Sequence, residues 1–246
     1  MISPDPQSSA FPGWAATGGP PLEDDPVALL EADLAAPENQ YAAPPFWQQV
    51  LAGAASPARI RWWAVQLYPL VGGRWSNALF AKISNLAFAD GREVFRRLYE
   101  RTRDPARHPE TLWRRFARAA GASDEELDAV LREPLLEARG FIEQARWFCH
   151  RSGYEAAAVC YAVETQLPAL WEQVGAALRA HYGFPSEGLA FFEAEAAQLV
   201  ENRAFLAELV RRYCDTGWRL YLGRRAAREV NWSWQALAER LQALAP

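Results

Sequence analysis

LAFFEAEAAQLVENRAFLAELVRRYC, residues 189–214, decides the fold. Phe192, Glu195, Leu199, Asn202, Leu206, Leu209 and Tyr213 recur at alternating three- and four-residue steps. That spacing predicts a long amphipathic helix with these residues on one stripe. Its outer face is charged, with Glu193, Glu201, Arg203, Glu208 and Arg211. Two polar residues, Glu195 and Asn202, interrupt the apolar stripe. At the helical repeat, positions 195, 199 and 202 fall within about 60° of arc, so they point at one interior spot.

Working outward, the rest of the chain carries helix signals and little else. Asp25 before Pro26 predicts a short helix over 25–35, with the proline at its first position. Pro44 and Pro45 open another over 43–53. Ser56 and Pro57 cap and start a third, which Pro69 and Gly72-Gly73 should kink or divide. Residues 90–101 read as amphipathic. His108-Pro109 begins a helix that Gly121 ends, and Ser123 with Glu126 forms a capping box. Three further helical runs cover 137–153, 153–183 and 216–244. No stretch alternates with period two, so no sheet is expected. The expectation is all-α, a bundle of about eight helices in a single domain over 27–246. Residues 1–26, rich in Pro and Gly, read as a flexible N-terminal arm.

Composition narrows the function. The 246 residues are 50% hydrophobic and include 11 Trp, enough for a large ring-filled core. A net charge of −4 gives no basic face for nucleic acid. Cys149, Cys160 and Cys214 are odd in number and lack a C-x-x-C pair, which argues against a disulfide framework or zinc knuckle. No apolar run approaches the length of a membrane span and no leader is legible, so a cytoplasmic protein without membrane contact is expected. The Trp content, beyond what one core obviously consumes, points to a homodimer.

Several motifs, in order, resemble one family. Pro44-Pro45-Phe46-Trp47 resembles its His-Pro-Phe-Trp, with Pro in place of His; RWWAVQLYPLV at 61–71 resembles its second helix. LYERTRDPARHPETLW at 98–113 and YAVETQLP at 161–168 resemble its ligand-bearing segments. Tyr182-Gly183 and Phe191-Phe192-Glu193 follow in the same order. Over about 43–215 the chain resembles the heme-oxygenase-like superfamily, in the branch of PqqC-like proteins and non-heme diiron oxidases. That branch writes His-x3-Asp-x2-His where this chain has Glu195, Leu199 and Asn202.

The resemblance implies an oxidoreductase of small-molecule, specialised-metabolite biosynthesis acting on an amino-acid-like or acyl substrate in a central pocket. It maps metal ligands onto Glu100, His108, Glu164 and Glu195, a set with one nitrogen donor. Leu199 cannot ligate and Asn202 offers a neutral carbonyl, so iron is conceivable but a full diiron site is not expected. His108, Glu164 and Glu195 are the candidate catalytic groups, and Asn202, Tyr161, Cys160 and Trp63 the candidate substrate contacts. The cofactor-free PqqC branch keeps oxidation chemistry open without metal. The competing reading is a pseudoenzyme that kept fold and pocket as a binding or assembly partner. The bland readings make His108-Pro109 a helix start and Glu164 a buried partner of Arg61, Arg74, Arg101 or Arg146.

Overall fold

The computed structural model describes residues 22–71 and 86–244, apart from the side chains of Phe88, Arg101, Gln198, Leu199, Val200 and Glu201. The predicted arm therefore falls almost wholly outside the described residues, as do Gly72 and Gly73. Among the described residues every regular element is helical. In chain order the α-helices are α1 (Pro26–Ala35), α2 (Pro45–Leu51), α3 (Pro57–Gln66), α4 (Tyr68–Val71), α5 (Phe88–Thr102), α6 (Pro109–Ala119), α7 (Asp124–Arg132), α8 (Leu136–Arg151), α9 (Gly153–Tyr182), α10 (Ser186–Tyr213) and α11 (Gly217–Leu244), with a 3-10 turn at Pro37–Asn39 between the first two. The count exceeds the expected eight or so because short segments, α4 among them, stand as separate elements.

The capping chemistry sets the boundaries. The Asp25 carboxylate accepts from Val27 N, and Ser56 Oγ accepts from Arg59 N. Ser123 and Glu126 satisfy each other's backbone N–H groups in a full capping box. Gly121 and Gly183 take positive φ just past the ends of α6 and α9, a backbone shape that favours glycine. The break between α3 and α4 falls at Leu67, two residues before Pro69, which has no N–H to donate to the carbonyl of Val65.

The opening stretch is the helix its spacing predicts, begun three residues earlier at Ser186. Phe192, Leu206 and Leu209 on its stripe are buried, and α10 packs along α9. The approach is close. A Cβ added to Gly175 of α9 would sit 2.7 Å from Phe192 Cβ, so only glycine lets the two helices meet there. On its other sides α9 meets α8, α11 and α2, which makes it the central element of the bundle.

The core is aromatic. Trp47, Trp63, Trp113 and Trp234 are fully buried, and Trp171 nearly so. Trp47 stacks on Trp234 at 5.7 Å, and Trp63 on Trp171 at 6.4 Å. Trp113 Nε1 donates to Ala64 O at 2.8 Å, and Trp234 Nε1 to Tyr41 O at 3.0 Å. The buried Nε1–H groups of Trp47 and Trp63 find no acceptor among the described residues. Each such group costs roughly 1–3 kcal/mol that ring packing must offset. One core thus consumes five of the eleven tryptophans. Trp147 and Trp232 remain exposed, at 53% and 61%.

Candidate functional site

A cavity of about 290 Å³ opens between α4, α5, α6, α8, α9 and α10. Its walls follow helical periodicity. Helix α5 contributes Phe95, Leu98, Tyr99 and Thr102, and α9 contributes Val163, Glu164, Leu167, Pro168 and Trp171. Helix α10 adds Phe191 and Glu195, one turn apart, while His108, Pro109 and Trp113 come from the start and first turns of α6. Phe95 and Tyr99 are about half exposed and stand at the mouth. Glu195, at 8% exposure, lies deep.

The fold therefore gathers His108, Glu164 and Glu195, three residues remote in sequence, onto one cavity surface. Pro168 also belongs to the wall. Lacking an N–H, it cannot donate to the carbonyl of Glu164, so the ladder of α9 is interrupted at the height of the carboxylate. Glu164 and Glu195 each keep a partner within the protein. Arg61 and Arg146 are not internal: Arg61 pairs with Glu126 at 2.6 Å and Arg146 with Glu143 at 3.5 Å, all on the surface. Arg74 and the side chain of Arg101 lie outside the described residues.

His108 is the N-cap of α6. Its Nδ1 accepts from Glu110 N at 3.2 Å, so in the neutral ring the proton resides on Nε2. Beyond it, Tyr68 donates to Glu110 at 2.6 Å, and burial with that carboxylate raises the Tyr68 phenol above its ordinary range.

Glu100, expected among the ligands, is placed elsewhere. It accepts from Arg96 at 2.7 Å on the exposed face of α5 and is not a lining residue. The wall of α5 is the stripe Phe95, Leu98, Tyr99 and Thr102, and Glu100 lies about 150° around the helix from its centre. Of the expected substrate contacts, Asn202, Tyr161, Cys160 and Trp63, none lines the cavity. Trp63 is packed among Trp47, Trp113 and Trp171, and Cys160 is buried. Tyr161 donates to Glu31, which Arg203 also holds at 2.6 Å, and these two bonds lower the Glu31 carboxyl below its usual range. Asn202 is half-buried two turns beyond Glu195. Tyr99, Thr102, Trp113 and Trp171 take wall positions that the sequence did not single out, although the stripe of α5 was there to be read.

A profile of iron-containing redox enzymes matches residues 61–198, more than half of the chain. The chain belongs to the iron-containing redox enzyme family. The span shared with that family runs from α3 into α10 and contains His108, Glu164 and Glu195. Among curated proteins no sequence match is found. Solved structures agree on the fold. A TenA homologue from Pseudomonas syringae pv. tomato DC3000 superposes with a TM-score of 0.71 at 14% identity, over 89% of this chain and 93% of that one. A domain of unknown function with a heme oxygenase-like fold from Shewanella denitrificans OS217 gives 0.66 at 14%, over 89% of each. A CADD-like protein of unknown function from Nostoc punctiforme PCC 73102 gives 0.61 at 19%, over 88% and 96%. The fold of this iron-containing redox enzyme family member is heme-oxygenase-like.

The donor set does not fit the two irons of the family's diiron branch. Among the described residues no group of three or more His, Cys, Asp or Glu side chains is placed to hold a metal ion. Glu100 faces away, and Asn202 supplies at most a neutral amide. A ligating histidine presents a lone pair to the metal while its other nitrogen donates to an acceptor. His108 shows the reverse arrangement, because its Nδ1 lone pair serves the helix cap.

Proposed function

We propose that this chain is a heme-oxygenase-like oxidoreductase of small-molecule biosynthesis that handles its substrate in the cavity without an intact diiron centre. The observation that carries this reading is the convergence of His108, Glu164 and Glu195 on one apolar, ring-walled cavity. The rings of Trp113, Trp171 and Phe191 keep bulk water from the deep end, where a proton transfer gains most from fixed polar partners. Within that space Glu164 and Glu195 supply carboxylates able to accept or return a proton, and His108 Nε2–H supplies a donor.

A second reading is favoured by two placements, Glu100 on the outer face and His108 spent on a helix cap: a pseudoenzyme that binds a small molecule for a partner. No helix among the described residues is long and apolar enough to cross a membrane; the cytoplasmic location is part of the proposal. Exposed Trp147 and Trp232 support a homodimer.

Native mass spectrometry of the purified chain, followed by oxygen uptake with whatever small molecule co-purifies, tests the assignment. Turnover of the bound molecule, lost in Glu164→Gln with the fold retained, is the expected result. Stoichiometric binding without turnover selects the pseudoenzyme, and an empty cavity that takes up no small molecule overturns both.

A further inference from the structure

We propose that the outer face of α5, beside the cavity mouth, is a docking surface for an acidic protein segment that covers the mouth. The inference concerns the rim and not the interior, and stands whether the cavity turns its ligand over or only holds it.

Helical phase divides α5 into three faces. Asp90 and Arg97 lie on the side held by α10: Asp90 accepts from Arg212 and from Tyr213 Oη at 2.8 Å, and Arg97 stands 4.6 Å over the Phe205 ring. Leu98 and Thr102 face the cavity. Arg92, Arg96, Tyr99 and Arg103 fall within about 60° of arc, opposite the side that α10 holds. All four are exposed. Arg103 keeps helical backbone as the C-cap, so the phase holds to the end of the helix. Phe95 and Tyr99, each about half exposed, border both the cavity and this outer face.

The charges on this rim are unbalanced. Glu93 pairs with Arg96 at 2.6 Å and with Arg97 at 2.8 Å, and Glu100 pairs with Arg96 at 2.7 Å. Arg92, Arg103 and Arg107 are exposed and make no ion pair among the described residues. Asp104, between the last two, offsets one of the three and is engaged by Ala106 N at 2.9 Å. The rim therefore keeps a surplus of positive charge in a chain whose total is −4. Its length says what it fits. Arg92 and Arg103 stand three turns, roughly 16 Å, apart along one line. Arg107 carries the line on to His108, which lines the cavity. That span exceeds one small anionic group and suits a run of carboxylates on an acidic segment. Guanidinium forks grip carboxylates with two parallel hydrogen bonds, and half-exposed Phe95 and Tyr99 between them offer rings to bury. Arginine with aromatic rings is the composition that protein interfaces favour. A phosphate backbone fits less well, because Glu93 and Glu100 interrupt the basic stripe that it would follow.

The test titrates the full chain into three fluorescein-labelled probes of equal length, read by anisotropy: a helical Glu/Leu peptide, its Lys/Leu counterpart and single-stranded DNA. The variants are Arg92→Glu, Arg103→Glu, Arg107→Glu and Tyr99→Ala, each checked for folding by circular dichroism. Arg139→Glu is the control, because Arg139 on α8 is likewise exposed and without an ion pair among the described residues. Expected is binding of the acidic peptide alone, weakening about tenfold as salt rises from roughly 20 to 200 mM. Each rim reversal should cost about fivefold or more, since it replaces an attraction with a repulsion, and Tyr99→Ala severalfold. Arg139→Glu should stay within about twofold of the parent. An acidic peptide that does not bind at low salt overturns the inference, as does indifference to all three rim reversals or an equal loss in Arg139→Glu. DNA binding tighter than the acidic peptide overturns the choice of an acidic protein as the occupant.

Discussion

His108 separates structure from chemistry in a single residue. Its ring caps α6 by accepting from Glu110 N at 3.2 Å, and it also lines the cavity. Replacing it with alanine removes the acceptor, and loss of such a cap costs typically about 1 kcal/mol. For a chain of this size that lowers Tm by roughly 2–4 °C. His108→Asn restores a short acceptor suited to the cap position. It should return Tm to within about 1 °C of the parent, since cap-competent residues differ by only tenths of a kcal/mol. Both variants lose the imidazole, so both should lose any turnover that depends on the Nε2–H donor. The assay is thermal unfolding of the three proteins by circular dichroism, with metal retention measured on the same samples. Equal Tm for parent and His108→Ala, or an Asn variant no better than the Ala variant, would refute the cap. Metal bound by the parent and lost in both variants would show that His108 is a ligand after all.

Other outcomes follow from the packing. Gly175→Ala puts a methyl 2.7 Å from Phe192 Cβ, both fixed to backbone; overpacking of roughly 1–3 kcal/mol should exceed the helix-propensity gain of about 0.5–1, lowering stability in urea titration. A variant more stable than the parent would contradict the close approach of α9 and α10. Burial pushes the Cys214 thiol from its ordinary 9.0 up to about 12. The native protein should therefore resist iodoacetamide there at pH 8, while the unfolded chain reacts. The folded thiol keeps its proton where the unfolded one loses it, so its contribution to stability falls as pH rises from about 9 toward 12. Rapid native labelling of Cys214, mapped by peptide mass, would refute its burial. Light scattering should give about twice the 27.6 kDa chain mass if exposed Trp147 and Trp232 mark a dimer; the chain mass alone would refute that.

The fold was legible because its signals are local. Caps at Asp25, Ser56 and Ser123, glycines at 121 and 183, and the stripe of α10 each fix a helix boundary or a buried face from a few residues. The cavity was legible only in part. His108, Glu164 and Glu195 stood out because polar residues on apolar helices, in familiar motifs, have few explanations. Glu100 fits the motif order but not the helical phase of α5. Phe95, Leu98, Tyr99 and Thr102 define the inner face of α5, and Glu100 lies on the other side with Arg96. Trp63 and Tyr161 show the opposite limit: sequence marks such rings as buried, but whether they meet the core or the cavity depends on neighbours remote in the chain. Arg61 and Arg146 lie on the surface for the same reason, since the reach of Arg61 to Glu126 depends on where α7 lies.

Iron stoichiometry tests the central claim most directly, that the chain keeps the family's cavity and lacks the donors for a two-iron centre. The purified protein is reconstituted anaerobically with excess ferrous iron, desalted, and its metal measured by plasma mass spectrometry against protein concentration. The account predicts substoichiometric iron with no change in Tm on loading, because a bound metal would stabilise the fold that holds it. Two irons per chain, retained through desalting and raising Tm, would contradict it.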